Sequence, residues 1–445
     1  RDCSDLRQLS NAVACEAALF ITRDELLLDL HDAVYAKFGI NILRPCDVII
    51  HLDELQREEL YRPERLSGSR LMISRVQYGE YEKIIDLIQE PTPNARIELM
   101  TQLQRALSRP IDHECFLVKD SDGRYLAVYC LDCSISGQIN VPILRLLSKN
   151  RLSHTVARYL VDKIMTTSMR KINKLVSISA NSLQSEFIDS LKESSFFLHG
   201  PQWIKFCLPI IGNYADLANA LREAASDNIS KDVHDVARAI SEKLATTKSP
   251  LQLHEEIELE KMFWPAKIIN TNIHNFIVPI KAKWAQELFD THLARQTLFG
   301  AHKTELILNT ENVYYRASRP RVLDAPARVL WYVSRDEKYQ GSMSVRACSY
   351  IDEVLIGHPK DLYRQFRRLG IYRWEDVFTL ADRELDGELM AFRFSRTELF
   401  RQPIAWDTIQ QVLVSIKGKQ SQFQSPELIS AEIFFHLYQL GTKEA

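Results

Sequence analysis

"CFLVKDSDGRYLAVYCLD", residues 115–132, consists of two runs of strand-forming residues on either side of "DSDG". Asp and Gly supply the backbone conformations that tight turns between antiparallel strands need. The stretch therefore predicts a β-hairpin. This hairpin decides the fold predicted for the middle of the chain, because it is the first part of the order of strands and helices that follows.

The residues after the hairpin alternate between strand and helix patterns. "VPILRLL" (141–147) predicts a strand, and residues 151–170 predict an amphipathic helix. The apolar face of that helix consists of Leu152, Val156, Leu160 and Ile164. "LVSIS" predicts the next strand, and residues 181–193 predict a further helix.

This order of elements resembles the GNAT acetyltransferase fold. GNAT enzymes hold the pyrophosphate of acetyl-CoA on backbone N–H groups at a helix start. The resemblance implies acetyl-CoA as cofactor and places it at "KNRLSHTVARYL" and after the next strand. The residues it implies for cofactor binding are Arg151, Ser153, His154, Thr155 and Asn181.

The cofactor stretch departs from the family pattern in two ways. His154 and Val156 stand where the family usually has Gly or Ala, and no Tyr follows on the 181–193 helix. Side chains at those positions keep a backbone away from a pyrophosphate. We therefore expect weak acetyl-CoA binding or none. Two alternatives stay open, a working acetyltransferase and a GNAT-like scaffold without activity.

The N-terminal residues have the rhythm of a parallel α/β unit. Helices are predicted at 5–17 and 24–38, strands at 19–22 and 40–43, and a further helix from Pro45. Two strands are too few to be stable alone. We expect a homodimer or an N-terminal partner to complete this unit. Because the chain begins "RDCSDL" without Met, we also expect residues to precede it.

Two carboxylates are expected at one edge of this unit. Asp24 ends the strand in "LFITRDELLLDL" (19–30), and Asp5 begins the preceding helix. Clustered carboxylates bind Mg²⁺ or Mn²⁺, which can activate water for phosphoryl displacement. The alternative is that each Asp caps a helix.

"SDLRQLSNAVACEAALFITRDE" is similar to the second half of PIN-domain nucleases. The matching residues are Asp5, Leu9, Ala12, Thr22 and Asp24. The resemblance implies that Asp5 and Asp24 are catalytic and hold Mg²⁺ or Mn²⁺. The first strand of that family, with its Asp, and its helical Glu are not in this sequence, so the acidic pocket is incomplete without a partner.

The C-terminal residues carry a local positive charge within a chain of net charge −2. Between 312 and 373, twelve Arg and Lys stand against six Asp and Glu, which gives +6. Aromatic residues are interleaved with them, a pattern that suits unpaired RNA bases. The candidate RNA-binding residues are Arg316, Arg319, Arg364, Arg367, Arg368 and Trp374. The alternative is a solvated basic face over an aromatic core.

"FIVPIKAKWAQELF" followed by "ENVYYRASRP" resembles the ASCH and PUA-like β-barrels, which bind RNA or modified nucleotides. The resemblance implies a C-terminal β-barrel with RNA, including tRNA, as the partner.

Composition limits the remaining possibilities. The 445 residues predict several domains, and no apolar run approaches membrane-spanning length. Eight thinly spread cysteines are typical of the reducing cytoplasm and not of a disulfide framework. A zinc site from His113, Cys115, Cys130 and Cys133 is a further alternative.

Together these patterns predict an α+β multidomain chain. The segments are a partial PIN-like unit at 1–62, a GNAT-like domain at 66–210, a helical connector at 211–262 and an ASCH/PUA-like domain at 263–445. The first functional hypothesis is a toxin or defence-type, metal-dependent ribonuclease in the cytoplasm. The second is an N-acetyltransferase with an RNA-docking domain, and the third is a non-catalytic RNA-binding regulator.

Overall fold

The structure is a computed structural model. The residues it describes are 2–15, 17, 19–38, 40–45, 70–88, 92–120, 122–148, 153–171, 174–179, 181–225, 231–247, 251–290, 293, 305–306, 310–339, 341–367, 369, 371–384 and 386–443. The chain forms two compact units. The first contains Arg1–Glu64, Tyr314–Arg319 and Leu355–Ala391, and the second contains the remaining residues.

The N-terminal part of the first unit has the predicted alternation of helices and strands, but the segment predicted as one helix at 24–38 forms two helices. Its elements are α1 (Asp2–Ala14), β1 (Leu19–Ile21), α2 (Glu25–Asp29), α3 (His31–Phe38) and β2 (Asn41–Leu43). The two strands pair in parallel, with Leu19 opposite Asn41. A small core of Leu9, Val34, Ile40 and Ile42 holds them to the helices. The helix predicted after Pro45 lies outside the described residues.

Two short helices complete the described part of the first unit. They are α12 (Pro359–Phe366) and α13 (Trp374–Leu380). Pro359 stands in the first turn of α12, where its missing N–H costs no hydrogen bond. Leu362, Phe366 and Val377 are buried, so each helix presents one apolar side to the interior.

The second unit contains an eight-stranded mixed sheet. Its strands are β3 (Arg70–Arg75), β4 (His113–Lys119), β5 (Tyr125–Asp132), β6 (Gln138–Leu146), β7 (Leu175–Ser179), β8 (Phe197–His199), β9 (Gln202–Phe206) and β13 (Glu305–Leu306). Their order is β13-β3-β4-β5-β6-β7-β9-β8. The hairpin predicted at 115–132 is confirmed as β4 and β5, which pair antiparallel.

Helices cover both faces of this sheet. α4 (Tyr81–Leu87) and α5 (Pro93–Ser108) share one apolar core, and α6 (Ser153–Arg170) and α7 (Ser185–Glu193) share another. The helix predicted at 151–170 is confirmed as α6, because its apolar stripe faces the sheet. Strand residues of β5 and β6 contribute to both cores, as expected for a sheet buried on two sides.

The stretch predicted as a helical connector is helical. It contains α8 (Tyr214–Ala224), α9 (Lys231–Ala245) and α10 (Leu253–Met262), with β10 (Ile211–Gly212) before them. Asn213 begins α8 by accepting hydrogen bonds from two main-chain N–H groups, at 2.8 and 3.0 Å. β10 pairs in parallel with β11 (Lys267–Ile268), so the segment returns to its starting edge.

The C-terminal residues form a six-stranded sheet. Its strands are β12 (His274–Ile280), β14 (Glu311–Ala317), β15 (Ala327–Val333), β16 (Ser344–Gly357), β17 (Leu389–Ala405) and β18 (Glu427–Ile429). Their order is β14-β17-β16-β15-β12-β18. The other helices here are α11 (Ala282–Leu288), α14 (Trp406–Lys417) and α15 (Ala431–Thr442).

The expectation of a closed C-terminal barrel is wrong for the described residues. The edge strands β14 and β18 are not paired with each other, so the sheet stays open there. β18 has only three residues, and α14 and α15 pack their apolar sides against the same core as β12. Helices therefore cover apolar surface that barrel closure would otherwise bury.

The structure also corrects one expectation about cysteines. Cys115 and Cys130 form a disulfide between directly paired positions of β4 and β5, with their Cα atoms 4.1 Å apart. A thin spread of cysteines did not predict this bond.

Among the described helices, none combines the length and apolar character that crossing a membrane requires.

Candidate functional site

Strands β6 and β7 run side by side and then separate. Residues 138–141 of β6 pair in parallel with 175–178 of β7. β6 continues to Leu146, whereas β7 ends at Ser179. We call the gap between residues 142–146 of β6 and the loop residues 181–184 the strand wedge. Along it, β6 presents main-chain groups that have no neighbouring strand among the described residues.

The local sequence explains why the strands separate at this point. Pro142 is the first residue beyond the pairing, and proline has no N–H to donate to a neighbouring strand. On the other side of β6, Asn140 pairs with Asp132 and Ile143 pairs with Cys130. Two residues of β6 therefore oppose the single Leu131, which is a β-bulge and bends the strand.

Side chains of the protein itself fill the mouth of the strand wedge. The main-chain N–H of Leu146 donates to Oε1 of Gln184 at 3.3 Å, and Nε2 of Gln184 donates to the carbonyl of Leu146 at 3.0 Å. Arg145 donates to the carbonyl of Asn181 at 2.7 Å and to that of Leu144 at 3.0 Å. No motif in the sequence pointed to Gln184 or Arg145.

The start of α6 lies directly after the strand wedge along the chain. Ser153 is buried and donates to the carbonyl of Ser148 at 3.4 Å. His154 is exposed and Thr155 is half-buried. Asn181 is exposed on the loop side of the strand wedge. Arg151, the remaining residue implied for cofactor binding, lies outside the described residues. A helix start directs main-chain N–H groups along its axis, which is the chemistry expected at an anion site.

One sequence argument against cofactor binding is corrected by the structure. Val156 was expected to crowd a phosphate, yet it is 1% exposed and packs in the core between α6 and the sheet. Its side chain therefore points away from the helix start. Of the described residues Ser153, His154 and Thr155, His154 is the one with an exposed side chain.

Phe187 and Phe196 do not supply a general acid at the strand wedge. Phe187 of α7 is 0% exposed and Phe196 is 5% exposed, and both belong to the apolar core. Neither can transfer a proton.

The aromatic residues of the C-terminal region are mostly core. Those that are buried are Tyr314, Tyr315, Trp331, Tyr332, Phe366 and Tyr372. Trp374 and Tyr363 are half-buried, with ring centroids 5.6 Å apart. Trp374 also stacks on Phe378 at 5.5 Å with an interplanar angle of 19°. Trp374 and Tyr363 are the members of this set with ring surface available to a base.

The candidate RNA-binding arginines differ in exposure. Arg319 and Arg364 are exposed and Arg367 is half-buried, while Arg368 lies outside the described residues. Arg316 is half-buried and donates to the carbonyl of Arg319 at 3.2 Å. Burial lowers the pKa of the Arg316 guanidinium from its ordinary value.

Part of the local positive charge is neutralised inside the protein. Arg328 is fully buried and pairs with both carboxylate oxygens of Glu260, at 3.1 and 2.5 Å. It also donates to Asn275 at 3.2 Å, and Tyr350 donates to Glu260 at 3.0 Å. We call these four residues the buried charge cluster. Because its charges are paired, Arg328 contributes nothing to a basic surface.

Asp24 is a helix cap in the structure. Its Oδ1 accepts a hydrogen bond from the N–H of Leu26 at 2.9 Å at the start of α2. Asp5 lies in α1, and its side chain is outside the described part of the structure. No group of three or more possible metal ligands occurs among the described residues. The metal-binding role of Asp5 and Asp24 stays a prediction.

The alternative of a zinc site on the hairpin is not supported. The disulfide uses the sulfur atoms of Cys115 and Cys130. His113 lies 3.7 Å from the carboxylate of Asp132, and the Cys133 sulfur lies 3.5 Å from the Lys171 amine.

The second unit also has a polar cavity of about 110 Å³. Its lining includes Arg158 and Glu193, which form an ion pair at 2.6 Å, and Glu258 and Lys261, which form another at 3.3 Å.

Comparisons with known proteins give structural neighbours of two kinds. No family model matches this chain. No curated protein matches it either. An ASCH protein from Zymomonas mobilis is similar over 38% of this chain and 96% of its own, with 15% identity and a TM-score of 0.28. A spermidine N-acetyltransferase from Vibrio cholerae, in complex with CoA and spermine, is similar over 30% of this chain and 92% of its own, with 14% identity and a TM-score of 0.24.

Proposed function

We propose that residues 66–210 bind an acyl-coenzyme A and that the protein is a GNAT-type N-acetyltransferase. The observation that carries the proposal is the strand wedge. A parallel pair that separates after 141 and 178 leaves one strand edge for an extended ligand. A helix start follows on the same strand, so an arm and a phosphate group have adjacent places to bind.

The coenzyme suits both parts of this arrangement. Its pantetheine arm is linear and carries secondary amides, which pair with a strand edge as another strand would. Its pyrophosphate suits the first turn of α6, where Ser153, His154 and Thr155 contribute N–H groups. In the transfer reaction, an amine attacks the thioester carbonyl, the C–S bond breaks, and the amine proton neutralises the departing thiolate.

A metal-dependent nuclease has less support from the described residues. Asp24 accepts a hydrogen bond as the cap of α2, and this role accounts for a carboxylate at the end of β1. No group of three or more possible metal ligands occurs among the described residues.

Isothermal titration of the full chain with acetyl-CoA tests the proposal. We expect saturable binding of acetyl-CoA. Coenzyme A should compete with it for the site, and ATP should not. His154→Gly should bind acetyl-CoA more tightly, because it removes the exposed side chain from the helix start. Asp189→Ala, an exposed substitution on α7, is the matched control. No heat of binding at low salt, with a folded protein by circular dichroism, would refute the proposal.

RNA binding is a second candidate function, and one observation favours it. Trp374 and Tyr363 are half-buried aromatic residues on neighbouring helices, and Arg364 on the same helix as Tyr363 is exposed. Proteins bind unpaired bases with aromatic rings for stacking and positive charges for the phosphates. We propose single-stranded RNA, including the loops of tRNA, as the ligand of this surface.

A further inference from the structure

The hydrogen bonds at the mouth of the strand wedge have the pattern of a strand pair. The main-chain N–H of Leu146 donates to Oε1 of Gln184, and the main-chain carbonyl of Leu146 accepts from Nε2 of the same carboxamide. A neighbouring β-strand would offer the same two groups through one residue. The Gln184 carboxamide therefore stands where the amide of a strand-like ligand would pair.

Other features of Gln184 indicate that it has no competing role. It occupies the cap position of α7, but its side chain makes no capping hydrogen bond. Its main-chain carbonyl accepts from Phe187 and Ile188 at 3.0 and 3.1 Å, so the helix start is held by backbone alone. The side chain is half-buried and is tied to Leu146 by two neutral hydrogen bonds.

We propose that Gln184 is a built-in occupant of the amide position on β6, and that coenzyme binding displaces its side chain from Leu146. This inference rests on the proposed function. In this proposal Gln184 limits the affinity for the coenzyme. The two hydrogen bonds that the ligand forms with Leu146 replace two that Leu146 already forms with Gln184, so they add little net binding free energy. The chain thereby satisfies its own strand edge when no ligand is bound.

The Arg145 contact closes the same wedge by a different route. Its guanidinium spans from β6 to the carbonyl of Asn181, at 2.7 Å. Because this is a charge-assisted bond from a buried side chain, it holds the loop more strongly than a neutral amide does. Gln184 is accordingly the part of the closure that a ligand can displace at low cost.

Gln184→Ala is the test. Two neutral hydrogen bonds no longer have to be broken, so coenzyme A should bind about tenfold more tightly than to the unaltered chain. Free pantetheine, which has the amides and no nucleotide, should gain a similar factor. Adenosine 3′,5′-bisphosphate, which has phosphates and no amide arm, should bind both proteins equally. Ser185→Ala, the exposed neighbour, is the matched control and should change nothing.

Hydrogen exchange gives a readout that needs no ligand. The Leu146 amide should be protected in the unliganded chain, lose protection in Gln184→Ala, and regain it in both proteins with saturating coenzyme A. Circular dichroism establishes that the variant is folded.

The outcomes separate the two proposals. Equal or weaker coenzyme A binding by Gln184→Ala, beside clear binding by the unaltered chain, overturns the inference and leaves the acetyltransferase proposal standing. Protection of Leu146 that survives in Gln184→Ala also overturns it. Absence of coenzyme A binding by both proteins overturns the proposed function and the inference with it.

Discussion

The strand wedge and the buried charge cluster belong to the same compact unit and treat polar groups in opposite ways. In the buried charge cluster, Arg328 and Glu260 are 0% exposed and each has several partners. In the strand wedge, the polar groups of Leu146 meet one half-buried amide. A fully paired cluster leaves nothing for a ligand to bind, whereas an edge held by one neutral side chain can exchange that partner for another.

The difference also shows that chemically conspicuous residues need not mark a site. Arg328 and Trp331 belong to the basic and aromatic pattern that suggested RNA binding, yet both are fully buried. The strand wedge consists of residues such as Pro142 and Leu146, which carry no reactive group. Its chemistry lies in the main chain, and main-chain geometry leaves only an indirect trace in the sequence.

The largest expected effect comes from breaking the buried charge cluster. Arg328→Met leaves the Glu260 carboxylate buried without its main partner, which typically costs about 3–5 kcal/mol. We expect this loss in the free energy of unfolding, measured in urea through tryptophan fluorescence.

An exposed ion pair supplies the control for that experiment. Arg335 and Glu337 lie 3.3 Å apart with side chains 73% and 85% exposed. Arg335→Ala should change stability by less than about 1 kcal/mol. A similar small change for Arg328→Met would mean that the buried charge cluster does not stabilise the fold, and the contrast with the strand wedge would disappear.

Local sequence patterns predicted most elements of the second unit correctly. "DSDG" between strand-forming runs defined β4 and β5, and the apolar stripe from Val156 to Ile164 defined α6. These signals are local because turn chemistry and helical periodicity act between residues close in the chain.

The contacts that define the candidate site are not local, and the sequence did not reveal them. Gln184 meets Leu146 across 38 positions, and Glu260 meets Arg328 across 68. The C-terminal barrel was implied by the resemblance of two short segments to ASCH and PUA-like domains, and such short segments do not show whether the edge strands of a sheet meet. Arg145 is one basic residue of a strand in the sequence, and its hydrogen bond across the strand wedge to Asn181 is visible only in the structure.

A smaller effect is expected at Trp374, which sharpens the contrast between buried and available aromatic residues. If a base stacks on this ring, Trp374→Ala should weaken single-stranded RNA binding by about 1–3 kcal/mol. Arg364→Ala should weaken binding to all sequences alike and reduce the dependence of affinity on salt, because phosphate contacts carry little sequence information. Fluorescence anisotropy of the full chain at several salt concentrations measures both.

The Trp374 experiment needs a measure of folding, since the ring also packs on Tyr363 and Phe378. Circular dichroism of each variant provides it. A folded Trp374→Ala chain with unchanged RNA affinity would place Trp374 with the structural aromatic residues and remove the main support for RNA stacking.

The smallest effect is expected at Asp24, where two substitutions separate a helix cap from a metal ligand. Asn caps helices about as well as Asp, whereas Ala typically costs about 1 kcal/mol. A capping role therefore predicts that Asp24→Asn keeps the stability of the unaltered chain and Asp24→Ala loses a little. A metal-binding role predicts instead that Asp24→Asn abolishes Mn²⁺-dependent RNA cleavage, since the carboxylate charge is lost. If the unaltered chain cleaves RNA and Asp24→Asn does not, then Asp24 is a metal ligand and the nuclease hypothesis is favoured again. The Leu26 hydrogen bond at 2.9 Å favours the cap, and we expect Asp24→Asn to be silent in both measurements.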